Sequence, residues 1–100
     1  MTRQLTKEVE QIEREFNENY PDAWRTLPGE FEAPKKSVVL SFADDHNLFE
    51  TFADMHFGLK DYDHQETRQR FKSYLAERDP EDVEGILMDL FSLLAYKRMG

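Results

Sequence analysis

The sequence predicts an all-α protein, a compact bundle of four to five short helices interrupted by an irregular proline-rich loop at about 21–36. Three observations carry this. Apolar residues recur at spacings of three and four over most of the chain, the period of a helix rather than a strand. Helix-start and helix-stop residues fall at the ends of those runs. Three prolines and a glycine crowd between Pro21 and Pro34, where no long regular element fits. At 100 residues with 39% hydrophobic content, one helical domain spanning 1–100 is expected, with a core that needs no crosslink.

The bundle is expected to assemble around Pro80–Arg98. Asp79 stands at the N-cap position and Pro80 suits the first helical position. Glu81 and Asp82 meet the positive end of the helix dipole, and Lys97 and Arg98 the negative end. Between them Val83, Ile86, Leu87, Leu90, Phe91 and Leu94 form one stripe. Leu93 and Tyr96 widen it, so partners on more than one side are expected.

In chain order, residues 3–20 read as an amphipathic helix with a narrow stripe of Leu5, Val9, Ile12, Phe16 and Tyr20. Such a stripe suits either packing across the domain or pairing with a symmetry mate. Pro21 ends it. Asp22–Arg25 suits one helical turn, and Pro28-Gly29 is a turn signal. Trp24, Leu27 and Phe31 are expected to fold back over the core; the alternative is an exposed recognition edge. Val38-Val39-Leu40 has strand character, but a lone strand lacks a partner. A helix capped by Ser37, able to run on into the next segment, is therefore preferred for Ser37–Phe42 over a strand paired across a dimer. Asp44–Phe57 reads as a helix with Leu48, Phe49, Phe52, Met55, His56 and Leu59 on one side, stopped at Gly58. Asp61, Tyr62 and Asp63 make a turn. Asp63 and Glu66 form a capping-box variant opening a helix over roughly 64–77 with Phe71, Tyr74 and Leu75 inward. The last two helices are expected to form a hairpin.

No catalytic constellation is legible. The absence of cysteine excludes disulfides, thiolate metal sites and cysteine nucleophiles. Ser37, Ser41, Ser73 and Ser92 lack a nucleophile-elbow setting, and Gly29, Gly58, Gly85 and Gly100 are isolated, so no glycine loop cradles a phosphate. His46, Glu50 and Asp54 fall at i, i+4 and i+8, which on a continuous helix lines up three possible metal ligands. That face lies opposite the apolar stripe, where solvated residues belong. The carboxylate pairs Asp44/Asp45, Asp61/Asp63 and Glu81/Asp82 sit at helix starts, where capping explains them. The expectation is a protein that is not an enzyme and uses no cofactor and no metal.

What remains is binding. The net charge is −8, with acidic residues concentrated in 44–63 and 77–89 around a small basic interval of Arg68, Arg70 and Lys72. Direct nucleic-acid binding, which needs clustered cations, is not expected. The preferred reading is a non-catalytic protein-binding module: a small acidic inhibitor, immunity-type or adaptor protein docking on a larger basic protein. Toxin-neutralising immunity proteins share its size and charge but no motif. The candidate contact residues are Trp24, Phe31, Asp44, Asp45, Asp61, Asp63, Glu81 and Asp82. A homodimer is a further possibility for the partner. Two alternatives stand beside this reading. One is a nucleic-acid mimic, which requires the two acidic stretches to form a single surface. The other is a metal-binding enzyme or sensor using His46, Glu50 and Asp54. The charged N-terminus and the lack of an 18-residue apolar run predict a cytoplasmic protein without a membrane span.

Overall fold

The computed structural model describes residues 2–58 and 63–100. Among them the chain forms α1 (Thr2–Asn19), a hairpin of β1 (Trp24–Leu27) and β2 (Phe31–Pro34), α2 (Lys36–Asp45), α3 (Phe49–Phe57), α4 (His64–Glu77) and α5 (Pro80–Met99). The predicted all-α bundle is therefore present, with a small strand pair added. One cluster of buried side chains draws on all five helices.

α5 is the centre of that cluster. Val83, Ile86, Leu87, Leu90, Phe91, Leu93, Leu94 and Ala95 are all buried, a set too wide for one face, and α1, α2, α3 and β2 each take part of it. Tyr96, by contrast, is 61% exposed and adds nothing to the stripe. α1 packs across α5 through Ile12 and Phe16, with Leu5, Val9 and Tyr20 partly covered, which satisfies its narrow stripe within the molecule. α4 packs mainly on α3 and less on α2, so the expected hairpin of the last two helices is replaced by an α3–α4 pair. The reason is aromatic: Phe71 of α4 meets Phe49 and Phe52 of α3 at ring-centroid distances of 5.4 and 5.1 Å.

Two boundaries differ from expectation. The expected helix over 44–57 is broken, because Asp44 and Asp45 end α2 and Asn47 turns left-handed at φ 53. Leu48 N–H donates to Ala43 O at 2.9 Å and Asn47 N–H to Asp44 O at 3.2 Å. This is the paired closing pattern of a helix C-terminus, with Asn in the place that glycine usually takes. The turn drops Leu48 into the core, so its apolar spacing mimics an unbroken helix. At the other end of α2 the N-cap is Lys35 rather than Ser37, with no side-chain cap. Lys35 is held there by its N–H to Ala23 O at 2.7 Å, while its own carbonyl accepts from Val38 and Val39. Asp79 occupies the N-cap of α5 as expected, yet its carboxylate makes no cap hydrogen bond. Asp63 does cap α4, accepting from Glu66 N–H at 2.8 Å, and Gly58 closes α3 at φ 64. Leu59 and the turn through Asp61 and Tyr62 lie outside the described residues.

The loop is the largest departure. Trp24–Leu27 and Phe31–Pro34 pair antiparallel, with Trp24 opposite Pro34 and Leu27 opposite Phe31. Asp22–Arg25 is thus not a helical turn. Proline signalled the turn but did not forbid short strands: Pro28 and Gly29, at φ 88, fit the two central places of a type II turn closed by Glu30 N–H to Leu27 O at 3.1 Å. Pro34 sits where its missing N–H is not needed by the ladder.

Two outcomes test this account. Phe42→Ala, which empties the contact between α2, α1 and α5, should cost about 3–5 kcal/mol in a denaturant titration. Asn47→Val should cost about 1–2 kcal/mol because a β-branched residue resists the left-handed region, whereas Asn47→Gly should be neutral or stabilising.

Candidate functional site: an acidic cleft at Trp24

The hairpin stands on a buried base of Ala23, Ala33 and Pro34, and its far end is open to solvent. Alternation places Trp24, Thr26, Glu32 and Pro34 on one face and Arg25, Leu27, Phe31 and Ala33 on the other. Trp24 is half-buried against the core, and its Nε1–H donates to Asn17 Oδ1 of α1 at 3.0 Å. That bond holds the indole in the angle between the hairpin and α1. A cleft of about 480 Å³ opens there, lined by Glu13 and Asn17 of α1, Trp24, Glu32 of β2 and Glu84 of α5.

Three carboxylates from three elements thus surround one indole. Among the described residues none of them pairs with a cation, and no group of three or more His, Asp or Glu side chains is gathered tightly enough to hold a metal ion. Spread walls and an aromatic side suit a larger cation, a guanidinium or ammonium group on a side chain. Glu81 lies one helical turn before Glu84 on the same side of α5 and does not itself line the cleft.

The predicted contact residues are dispersed. Trp24 lines the cleft, while Phe31 is 58% exposed on the opposite face of the hairpin. The two expectations for the loop are divided between them: the indole folds back and the phenyl ring does not. Asp44 pairs with Arg68 at 3.7 Å, Asp45 accepts a hydrogen bond from the Tyr20 hydroxyl, and Asp63 caps α4. Glu81 and Asp82 are exposed in the first turn of α5; Asp61 lies outside the described residues. Asp63 and Asp79 occupy the N-cap positions of successive helices at opposite ends of α4, whose 14 residues span about 21 Å, with Arg68, Arg70 and Lys72 between. The two acidic stretches thus diverge along α4, while at α3 and α5 they approach, Asp89 lying 3.6 Å from His56. Glu13 and Glu32 escaped the sequence reading because they lie outside the acidic runs and converge only through the hairpin.

The ligand set His46, Glu50 and Asp54 is not aligned, because Asn47 breaks the helix between its first two members. His46 turns onto Phe42, ring centroids 4.7 Å apart, and Glu50 pairs with His64 at 3.5 Å. His56 stacks on Phe52 at 4.1 Å and lies 3.6 Å from Asp89, a histidine at the core boundary.

A second, smaller cavity of about 60 Å³ lies between α1, α2 and α5, lined by Glu15, Tyr20, His46 and Arg98 among others. Arg98 reaches Glu15 at 2.7 Å and Glu8 at 3.8 Å, and Lys97 Nζ donates to His46 O at 3.3 Å, tying the end of α5 to α1 and α2. Burial, then the nearby Arg98, lowers the His46 pKa, while Asp45 and Glu15 oppose the shift. Burial, then the hydrogen bond to Asp45, pushes the Tyr20 phenol up to about 12.

No protein-family model matches this chain, no curated protein matches it, and no solved structure matches it. Among the described residues no helix is long and apolar enough to cross a membrane.

The two shifts act at opposite ends of the pH scale. His46 takes up its proton less readily folded than unfolded, so its contribution is intact above its ordinary value of 6.5 and declines as pH falls below it. Tyr20 favours the folded state below pH 10 and loses that effect as pH rises towards 12. Denaturant midpoints should fall between pH 7.5 and 5.5, and His46→Gln should flatten that decline.

Proposed function

We propose that this protein is a non-catalytic binding module that docks on a basic surface of a larger protein, acting as a small acidic inhibitor, adaptor or immunity-type protein. The observation that supports this best is the Trp24 cleft, where an indole and the carboxylates of Glu13, Glu32 and Glu84 face one opening. A lysine or arginine side chain entering it gains a cation–π contact with the indole and charge-assisted hydrogen bonds to the walls. The net charge of −8 adds long-range attraction, which speeds encounter with a basic partner. Aromatic anchors at the centre of an interface supply much of the affinity, and Trp24 is the chain's one tryptophan.

The test compares proteins retained from native extract by the wild-type chain and by the triple variant Glu13→Gln, Glu32→Gln and Glu84→Gln, with each retained protein identified and its charge tabulated. The wild type should hold a basic protein that elutes as salt rises from about 0.1 to 0.5 M, where the screening length shrinks to a few ångströms. The triple variant should hold at least tenfold less of it. Equal retention by both chains, or retained proteins with no excess of basic charge, overturns the proposal.

A further inference from the structure

The strand pairing leaves one edge of the hairpin open, and its direction follows from the register. Lys35 N–H bonds to Ala23 O, so Trp24–Pro34 and Thr26–Glu32 are the pairs that do not exchange backbone hydrogen bonds. The N–H and C=O groups of Trp24 and Thr26 consequently point away from β2. Neither residue makes a further backbone hydrogen bond among the described residues, and Arg25 and Thr26 are both exposed. The outer edge of β2 is not equivalent: it carries Pro34, which has no N–H and is buried, and β2 packs on α5. β1 is therefore the edge that can receive another strand.

From this edge we infer that an extended, arginine- or lysine-bearing segment of the partner adds to β1 as a third strand and sends its basic side chains over the face that carries Trp24 and Glu32. This rests on the proposed docking function and specifies the conformation of what docks. Backbone bonds to Trp24 and Thr26 supply registration. Alternate side chains of an added strand fall on the same face as Trp24, Thr26 and Glu32, the face that opens on Glu13 and Glu84. Only two outward-facing residues are available on so short a strand, so the edge needs the charge of the cleft beside it. A second copy of this chain is the poorer occupant. It would bring a net charge of −8 against another −8, with the three cleft carboxylates beside the shared edge.

The test uses a capped heptapeptide that alternates arginine with threonine, titrated into the full chain and read by the fluorescence of Trp24, the chain's sole tryptophan. Thr26→Pro removes an outward-facing donor at a place where an edge strand tolerates proline. Thr26→Val alters the side chain but keeps the donor. Thr26→Pro, and the same peptide N-methylated at alternate amides, should bind about tenfold more weakly than the wild-type pair, and Thr26→Val, which keeps the donor, should bind clearly more tightly than Thr26→Pro. The N-methylated peptide keeps the result readable even if Thr26→Pro unfolds the hairpin. If neither proline nor N-methylation changes the affinity while Glu84→Gln weakens it, strand addition is overturned and charge-directed docking stands. Absence of peptide binding overturns strand addition, and the extract comparison then judges docking separately. A dimer in light scattering that Thr26→Pro dissociates overturns the choice of occupant.

Discussion

Phe16, Phe42 and Phe91 meet one another edge to face, with all three centroid separations at 5.4 Å. One ring comes from each of α1, α2 and α5, and each is buried to within 1%. Edge-to-face packing is directional, so the trio constrains the relative orientation of the three helices as well as their spacing. Because α1 is held there, Tyr20 at its end lies 5.2 Å from Phe16 and near Asp45 of α2. The chain must then turn at Pro21, Ala23 is drawn into the core, and the hairpin leaves the body at one place. The position of Trp24 beside Asn17 is the last step of that sequence.

Charge is arranged around this core in two ways. At the α2–α4 side, carboxylates are engaged locally: Asp44 with Arg68, Asp45 with Tyr20, Asp63 with the first turn of α4. Exposed pairs of this kind add little stability, each well under the worth of one buried ring. At the α1–hairpin–α5 side, Glu13, Glu32 and Glu84 face a common space without a cation among the described residues. Carboxylates left facing one another in a fold are mildly unfavourable to it, which is why this side, rather than the one with more acidic residues in sequence, carries the proposed docking role.

The legibility of the candidate site was uneven for a physical reason. Trp24 stood out because an indole in a polar loop is anomalous wherever the loop goes. Glu13 looked like any solvated residue on a polar helix face, and Glu32 and Glu84 are 19 and 71 positions away from it, numbers that mean nothing until the hairpin and α5 are placed. The metal-ligand alignment failed through the same kind of error in reverse. It assumed a helix continuing through Asn47, and a single left-handed residue rotated His46 away from Glu50.

By itself the sequence determined the helices: their period, the stops at Pro21 and Gly58, the cap at Asp63, and the broad apolar surface that makes α5 central. Those depend on neighbours within a turn or two, so they are written locally. Only the tertiary structure decided that Trp24–Leu27 and Phe31–Pro34 pair, that α4 joins α3 rather than α5, and that three distant glutamates share a cleft. Each of those is a contact between segments whose partners no local pattern names, and it is settled by which buried surfaces fit together.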